Sequence, residues 1–337
     1  MKHANNFDFL RFLFAFLVVI GHTIILSGEP KFQNDFLAMM PNYSVFCFFI
    51  ISGFLIFASF EKLNNLKKYI INRSRRIFPA FFFVVIFFAF FLFFFSNVSA
   101  KEYFSVEWAK YLASNLVAAN FLKPCINYVF TSNLHCAVNG ALWTIKVELM
   151  FYAFIPFLFY FLKNKSRTFK NLALIGIYAL SILYFSYVVN LGKHEMARQL
   201  PGVLCYFISG ILLFVNVDFF KKWILYFLPV AVAVVYVEKV LIFQNILTPF
   251  ALGICVFWFA FSMIPLRNFA KYGDFSYGIY LVHFPIIQIF VQEKLFEKYS
   301  FYAFFACISL IIIFSALLWK FIEKPALKRR FNHRSAV

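Results

Sequence analysis

The chain has 337 residues, of which 63% are hydrophobic and only 14% are charged. A soluble domain carries about 25% charged residues, so this composition, with 55 phenylalanines and a mean hydropathy of +0.80, excludes a soluble protein. The formal net charge is +18. Basic loops beside membrane spans, and their attraction to anionic lipids, explain that charge, so no nucleic-acid partner is expected.

Apolar runs long enough to cross a bilayer recur along the whole chain, without an internal repeat or an added soluble domain. We therefore predict an all-α polytopic membrane protein that forms one domain over residues 1–337. The first run is too long for a signal peptide and lacks a small-residue cleavage site, so we expect it to be retained. About ten spans are predicted, at residues 7–27, 42–60, 77–95, 142–162, 171–189, 200–215, 222–237, 244–264, 274–292 and 301–322.

The basic residues indicate how these spans are oriented. Of the 32 lysines and arginines, 21 lie in the segments that ten spans place on the same side as both termini. Basic loops are retained in the cytoplasm. Both termini are therefore predicted to be cytoplasmic.

The first predicted span carries two groups that a bilayer disfavours, Arg11 and His22. Eleven residues of helix correspond to about three turns plus 20°, so both side chains project from one face, about 16 Å apart along the axis. A central arginine in a membrane costs about 2.5 kcal/mol or more. A snorkelling arginine and a packing histidine would explain each residue singly, but the aligned pair favours a polar path or an active site.

Three arginines, Arg73, Arg75 and Arg76, stand directly before the third span. Ordinary anchoring at the cytoplasmic surface explains them. An anion site at the cytoplasmic mouth explains them equally well, because guanidinium groups bind phosphate through paired hydrogen bonds.

The long connection 96–141 is predicted to face outward and contains Cys125 and Cys136. An oxidising compartment permits a disulfide between them. A metal site that includes His135 is the less favoured alternative, because a fourth ligand is lacking. The aromatic stretch 108–121 predicts an interfacial or re-entrant helix.

Glu148 lies inside the fourth span, one turn before Tyr152. A buried carboxylate must find a partner, protonate or face water. A role in a proton-transfer site and a structural ion pair with Arg11 or Lys146 are equally good explanations.

Two weaker polar features lie in other spans. Tyr280 and His283 are three residues apart, so they can meet on one helix face, and we interpret His283 as a hydrogen-bonded packing residue. Ser52-Gly53 in the second span predicts close helix packing.

Six short motifs, in order along the chain, resemble those of the membrane-bound acyltransferase family 3, the O-acyltransferases of bacterial surface glycans. Each motif is short, but together with ten spans they are specific. The chain is similar to the stand-alone form of the family, without a periplasmic esterase-like domain. The motifs are Arg11 and His22 within DFLRFLFAFLVVIGH, FFIISGFLIF at 48–57, Arg73-x-x-Arg76 running into Ile77-Phe78-Pro79, LWTIKVELMFY at 142–152, FSYGIYLVHFP at 275–285 and FIEKP at 321–325.

The resemblance implies that an acyl group, usually acetyl, passes from cytoplasmic acyl-CoA (acetyl-CoA) to a hydroxyl of a cell-envelope carbohydrate. The acceptor would be lipid-linked or part of lipopolysaccharide, capsule or peptidoglycan, outside the bacterial inner membrane, and no metal is expected. His22 would act as general base or transient acyl carrier. Arg11 would steer the donor or stabilise the oxyanion, Glu148 would orient His22 or stabilise its charge, and Arg73 and Arg76 would bind CoA phosphates.

A proton-coupled transporter or flippase of a glycan or acyl intermediate is the alternative, because it would also carry ionisable groups inside the membrane. Many such proteins are built from inverted repeats with helices broken by glycine or proline in matching halves. No such repeat is visible in the sequence.

Overall fold

The computed structural model describes residues 5–239, 246–261, 266 and 269–328. Within these residues there is no β-strand, so the predicted all-α class is confirmed. Short 3₁₀ and π segments extend or join the α-helices. The α-helices are α1 (Phe7–Ser27), α2 (Asp35–Leu63), α3 (Leu66–Phe91), α4 (Ala100–Tyr103), α5 (Val106–Leu116), α6 (Trp143–Leu162), α7 (Arg167–Asn190), α8 (His194–Ala197), α9 (Leu200–Val215), α10 (Val217–Val237), α11 (Thr248–Phe261), α12 (Ser276–Gln292), α13 (Leu295–Leu318) and α14 (Lys324–Lys328).

Eight helical segments in the described part of the chain are long and apolar enough to cross a membrane. They contain all the predicted spans except two. The predicted span 274–292 corresponds to α12, which has 17 residues. The predicted span 244–264 corresponds to α11, which has 14 residues, and part of that span lies outside the described residues. The protein is polytopic, while the count of ten and the cytoplasmic location of both termini stay predictions.

Several helices begin before the apolar run that predicted them. Helix α2 begins at Asp35 instead of residue 42, and α3 begins at Leu66 instead of residue 77. The first turns of α3 are polar, and hydropathy locates only the apolar part of a helix, whereas α2 begins before Pro41, a residue that in a sequence indicates a helix boundary. As a result Arg73 and Arg76 are helical residues of α3, and their spacing of three places them on one face.

A helix also forms in the connection 96–141, as the aromatic stretch predicted. This helix, α5, carries Glu107, whose carboxylate lies 2.7 Å from Lys110 Nζ and 2.5 Å from Lys123 Nζ. Hydrogen bonds from Lys110 and then from Lys123 lower the pKa of Glu107 to about 2. The pair with Lys123 ties α5 to the loop that follows it.

The chain divides into two compact units, each assembled from several stretches. The first unit contains Met1–Arg11, Tyr43–Tyr69 and Val147–Lys271, and the second contains Phe12–Asn42, Ile70–Lys146 and Tyr272–Val337. The prediction of one domain over 1–337 stays a prediction.

In the first unit, α2 and α9 cross with their backbones in contact. A Cβ atom on Gly53 would lie 2.0 Å from the Phe207 carbonyl oxygen, and one on Gly210 would lie 2.0 Å from the Ile50 carbonyl oxygen. Only glycine fits at such a distance, and small residues are the usual means of close helix packing in membranes. The predicted role of Gly53 is therefore confirmed.

The beginning of α11 is capped by Glu238, which directly follows α10. The buried carboxylate accepts hydrogen bonds of 2.7 Å from the backbone N–H of Leu247, the backbone N–H of Thr248 and the Thr248 hydroxyl. The first N–H groups of a helix have no partner within the helix, and a carboxylate there is favourable. Glu238 thus stabilises the start of α11.

In the second unit, the outer connection is bound to α12 by Gln288, which is fully buried. Its amide nitrogen donates to the carbonyl oxygens of His135 and Ala137, at 2.5 and 2.9 Å. Its amide oxygen accepts a hydrogen bond from Asn133 at 2.9 Å. A single buried side chain therefore fixes three residues of the loop.

The same loop is closed by a disulfide between Cys125 and Cys136, with an S–S distance of 2.00 Å and a Cα–Cα distance of 5.3 Å. The favoured interpretation of these cysteines is confirmed. The metal alternative loses both of its thiolate ligands to this bond.

Candidate active site

Two histidines from different helices meet in the second unit, His22 of α1 and His283 of α12. Nδ1 of His22 lies 2.9 Å from Nε2 of His283. The rings are almost parallel, at 8°, with centroids 5.1 Å apart, so they meet edge to edge and not face to face. His283 is fully buried, whereas His22 is half-buried.

The hydrogen bonds of His283 determine which nitrogen of each ring carries a proton. Nδ1 of His283 lies 2.8 Å from the Tyr280 carbonyl oxygen and 3.3 Å from that of Ile279. A carbonyl oxygen can only accept, so Nδ1 donates, and Nε2 of neutral His283 is an acceptor. His22 therefore donates from Nδ1, and its lone pair lies on Nε2, the state required of a general base or nucleophile.

The backbone of α12 is adapted to this arrangement by Pro285. Proline has no N–H, so the carbonyl oxygen of Leu281, four residues earlier, lacks its helical partner. The buried side chain of Asn139 donates to that oxygen at 2.8 Å. Asn139 thus compensates for the proline two residues after His283.

Tyr280 connects the same turn of α12 to the beginning of α6. Its hydroxyl lies 2.8 Å from Thr144 Oγ1 and 3.2 Å from the Ala141 carbonyl oxygen. The Tyr280 and His283 rings lie 5.6 Å apart, so the two residues do meet, as their spacing predicted.

Phe284 packs against His22, the other histidine of the pair. Its ring is tilted by 74° to that of His22, with centroids 5.6 Å apart. A Cβ atom on Gly140 would lie 2.7 Å from the tip of the Phe284 ring. Gly140 therefore leaves room for the ring that packs against His22.

The position of α1 near His22 is set by Gly21. A Cβ atom on Gly21 would lie 2.3 Å from Pro41 Cδ and 2.7 Å from the Leu37 carbonyl oxygen. The turn of α1 that carries His22 therefore lies directly against the first turns of α2.

A second polar cluster of this unit surrounds Arg76. One Nη atom lies 2.5 Å from Asp274 Oδ2 and the other lies 3.3 Å from Glu323 Oε2. The guanidinium also lies 5.7 Å from the centre of the Tyr277 ring. Because Glu323 is only 2% exposed, this ion pair compensates a buried carboxylate.

Of the five predicted site residues, His22, Arg73 and Arg76 belong to the second unit, and Arg11 and Glu148 belong to the first. Arg11 lies 3.6 Å from Asp8 of its own helix. Glu148 accepts a hydrogen bond from Tyr152, one turn further along α6.

Nδ1 of His22 hydrogen-bonds to His283. The resemblance implied that Glu148 would orient His22 or stabilise its charge, and that role stays a prediction. From the sequence His283 is predicted to be a packing residue, although it lies within the motif FSYGIYLVHFP of the resemblance. The two histidines are 261 residues apart, a separation across which a single sequence does not indicate contact.

Comparisons with known proteins agree with the resemblance of the motifs. The domain model of acyltransferase family 3, described as an acyltransferase domain, matches residues 5–320. The chain is 25% identical to an O-acetyl transferase of Shigella phage Sf6 over 352 aligned positions, covering 98% of each chain. It is also 25% identical to Nodulation protein 10 of Rhizobium leguminosarum bv. viciae over 355 positions, covering 97% of this chain and 94% of that protein. No solved structure matches the chain significantly.

Proposed function

Because the chain belongs to acyltransferase family 3, we propose that this membrane enzyme transfers an acetyl group from cytoplasmic acetyl-CoA to a hydroxyl of a cell-envelope carbohydrate. The acceptor lies on the outer face of the bacterial inner membrane. A similar protein named as an O-acetyl transferase supports the acetyl group and the oxygen acceptor. The pair of His22 and His283 carries the proposal, because it presents a basic nitrogen with a fixed tautomer inside a membrane protein.

In direct transfer, Nε2 of His22 removes the proton from the acceptor hydroxyl while that oxygen attacks the thioester carbonyl. The new C–O bond forms, the C–S bond breaks, and His22 returns the proton to the departing thiolate. In the two-step alternative, the same nitrogen attacks the thioester carbonyl, so that an N–C bond forms, the C–S bond breaks and the thiolate leaves. The acceptor oxygen then attacks the acetyl carbon, the N–C bond breaks, and the hydroxyl proton passes to the thiolate. Both routes use Nε2 and leave the Nδ1 hydrogen bond to His283 intact.

His283 supports this chemistry without adding charge. When His22 gains a proton, its Nδ1–H becomes a stronger donor to the neutral Nε2 of His283, because hydrogen bonds from charged groups are the stronger ones. A carboxylate in this position would add a negative charge that the membrane interior disfavours. We therefore assign to His283 the role of a positioning residue, and Glu148 stays a proposed site residue with a supporting role.

Arg73 and Arg76 on α3 are proposed to bind the phosphates of the donor. Asp274 and Glu323 already engage Arg76, so a phosphate there would have to share that guanidinium. Arg73 lies on the same face of α3 as Arg76, and both stay proposed ligands of the donor phosphates. Arg11 is proposed to steer the donor, with stabilisation of the developing oxyanion as the alternative.

The test is the ester-linked acetyl content of surface glycans in a strain lacking the gene, complemented with wild type, His22→Ala or His194→Ala. His194 is an exposed histidine of α8 and serves as the matched control. At equal membrane amounts, wild type and His194→Ala are expected to restore acetylation, whereas His22→Ala is not. If deletion removes the glycan and not its acetyl groups, the proposal is wrong and the flippase alternative replaces it.

A further inference from the structure

The first unit contains a cavity of about 610 Å³ among α7, α9, α10 and the start of α11. Ligand sites measure about 300–1,000 Å³ and combine apolar walls with a few polar groups. Here the polar groups are Arg167, Asn171 and Asn216, and most of the other lining side chains are apolar. The cavity therefore has the size and composition of a site for a molecule that is polar at one end.

The polar end is held in place by hydrogen bonds among its own members. Nε of Arg167 donates to Asn216 Oδ1 at 3.0 Å. Asn171 and Asn216 exchange two further hydrogen bonds, of 3.2 and 2.8 Å. In the part of the chain that the structure describes, Arg167 donates only through Nε, so both Nη groups are available to a ligand. Two such groups in one plane match the oxygens of a phosphate.

The apolar part has the length of a lipid chain within one leaflet. Arg167 and Tyr178, which both line the cavity, are eleven residues apart on α7, which corresponds to about 16 Å. Half of the hydrocarbon core of a bilayer measures about 15 Å. At the apolar end of the cavity, the Tyr178 hydroxyl donates to the Ile246 carbonyl oxygen at 2.6 Å, so this polar group already has a hydrogen-bond partner.

We propose that this cavity binds one anionic glycerophospholipid, with its phosphate at Arg167 and one acyl chain along α7. The described lining residues include no carboxylate, so the charge of Arg167 is left for the headgroup to neutralise. A zwitterionic headgroup brings its own ammonium group and neutralises it less well. Basic pockets between membrane helices on the cytoplasmic side are known to bind anionic headgroups, and Arg167 lies in a segment predicted to be cytoplasmic.

The test is native mass spectrometry of the full-length protein in a neutral detergent, titrated with phosphatidylglycerol or with phosphatidylcholine of the same acyl chains. The variants are Arg167→Gln, Ile175→Trp, which fills the apolar part, and the matched control Arg198→Gln. Arg198 is exposed and pairs with Glu195, outside the cavity. Thermal unfolding of each variant shows that it is folded.

Loss of a charge-assisted hydrogen bond corresponds to a weakening of roughly tenfold or more. Arg167→Gln is therefore expected to weaken phosphatidylglycerol binding by that factor, Ile175→Trp to weaken both lipids, and Arg198→Gln to change neither. Millimolar inorganic phosphate is expected to leave the bound lipid in place. The proposal would be overturned if wild type bound the two lipids equally, or if inorganic phosphate displaced the lipid. It would also be overturned if Arg167→Gln or Ile175→Trp left binding unchanged, or if Arg198→Gln weakened binding as much as Arg167→Gln does. The measurement involves no acyl transfer, so its failure leaves the proposed enzymatic function untouched.

Discussion

At the scale of single residues, the proposed chemistry depends on where protons lie in two imidazole rings. The Tyr280 carbonyl oxygen fixes Nδ1 of His283 as a donor, so Nε2 of His283 accepts the hydrogen bond from Nδ1 of His22. The lone pair of His22 is therefore on Nε2. A tautomer set by a second group is a recurring device in acid–base catalysis. The device is unusual here in that the second group is a neutral histidine.

Replacing His283 is expected to lower kcat more than it changes KM for the donor. His283→Leu leaves Nδ1 of His22 without its acceptor. An unpartnered buried donor costs about 1–3 kcal/mol, which corresponds to a rate that is slower by roughly 5- to 160-fold. His283→Gln is expected to recover much of that loss, because the amide oxygen can accept from Nδ1. The measurement is the rate of acetyl transfer in membranes at equal protein amounts.

A purely structural role of His283 would give a different pattern. The Leu and Gln variants would then lose activity in proportion to the amount of folded protein, and kcat per folded molecule would not change. Equal kcat of the two variants would contradict the positioning role.

Arg73 and Arg76 are expected to respond differently to the same substitution. Arg76→Gln removes the cation beside Asp274 and the buried Glu323, and breaking a buried pair in this way costs roughly 3–5 kcal/mol. It should therefore reduce the amount of folded protein. Arg73→Gln should instead raise KM for acetyl-CoA. Thermal unfolding and donor kinetics separate the two effects, and a raised KM with normal stability in Arg76→Gln would contradict this division.

At the residue scale, the sequence indicated His22 as a candidate because a titratable group in an apolar run is visible without a structure. It did not identify the partner, because α1 and α12 are brought together only by the fold. Arg76 shows the same limit. Its arginine-rich surroundings indicated either anchoring at the membrane surface or an anion site. Asp274 and Glu323 are 198 and 247 residues away, so the ion pair was not predictable.

At the scale of helices, the crossing of α2 and α9 depends on two glycines. Gly53→Ala would place a methyl group 2.0 Å from the Phe207 carbonyl oxygen, so the two helices would have to separate. Overpacking of this kind costs about 1–3 kcal/mol, and we expect a lower temperature of thermal unfolding in detergent.

Gly176→Ala is the matched control for that substitution. Gly176 lies in α7, and a Cβ atom there would have no neighbour within 4 Å. It should leave the unfolding temperature unchanged or raise it slightly, because alanine favours a helix. Equal unfolding temperatures for the two variants would contradict the proposed contact.

Most of the helices could be predicted from the sequence, because apolar runs of about 20 residues have few alternatives in a membrane. Their ends could not, since the first turns of α3 are polar and carry no hydropathy signal, and α2 continues through Pro41, a residue that in a sequence indicates a helix boundary. Gly53 was predictable as a packing residue, but its partner, Gly210, was not. A glycine shows that another backbone comes close without showing which one.

At the scale of the whole molecule, the orientation in the membrane decides which segments face the proposed donor side, the cytoplasm, and which face the proposed acceptor side, the outside. The predicted topology places the disulfide loop outside and the arginine-rich start of α3 inside. An outside location fits a disulfide, because the bacterial cytoplasm keeps thiols reduced.

Labelling of intact cells tests this orientation. A membrane-impermeant maleimide should label the protein only after Cys125 and Cys136 are reduced from outside by an impermeant phosphine. Cys125→Ser/Cys136→Ser gives the background from the remaining cysteines, of which three are buried and one is half-buried. Lys67 is exposed. When Lys67→Cys is introduced into the Cys125→Ser/Cys136→Ser variant, the new cysteine should react with the maleimide only after the membrane is opened. Labelling of Lys67→Cys in intact cells would contradict the topology.

The most direct test of His22 as the reacting group is the initial rate of acetyl transfer from acetyl-CoA in membrane vesicles that hold the native acceptor. Wild type, His22→Gln and the control His194→Gln are compared at equal protein amounts. A positioned general base contributes roughly 10²- to 10⁴-fold to a rate, so we predict that His22→Gln is slower by at least about 100-fold while the control equals wild type. A rate for His22→Gln within a few-fold of wild type would contradict the account.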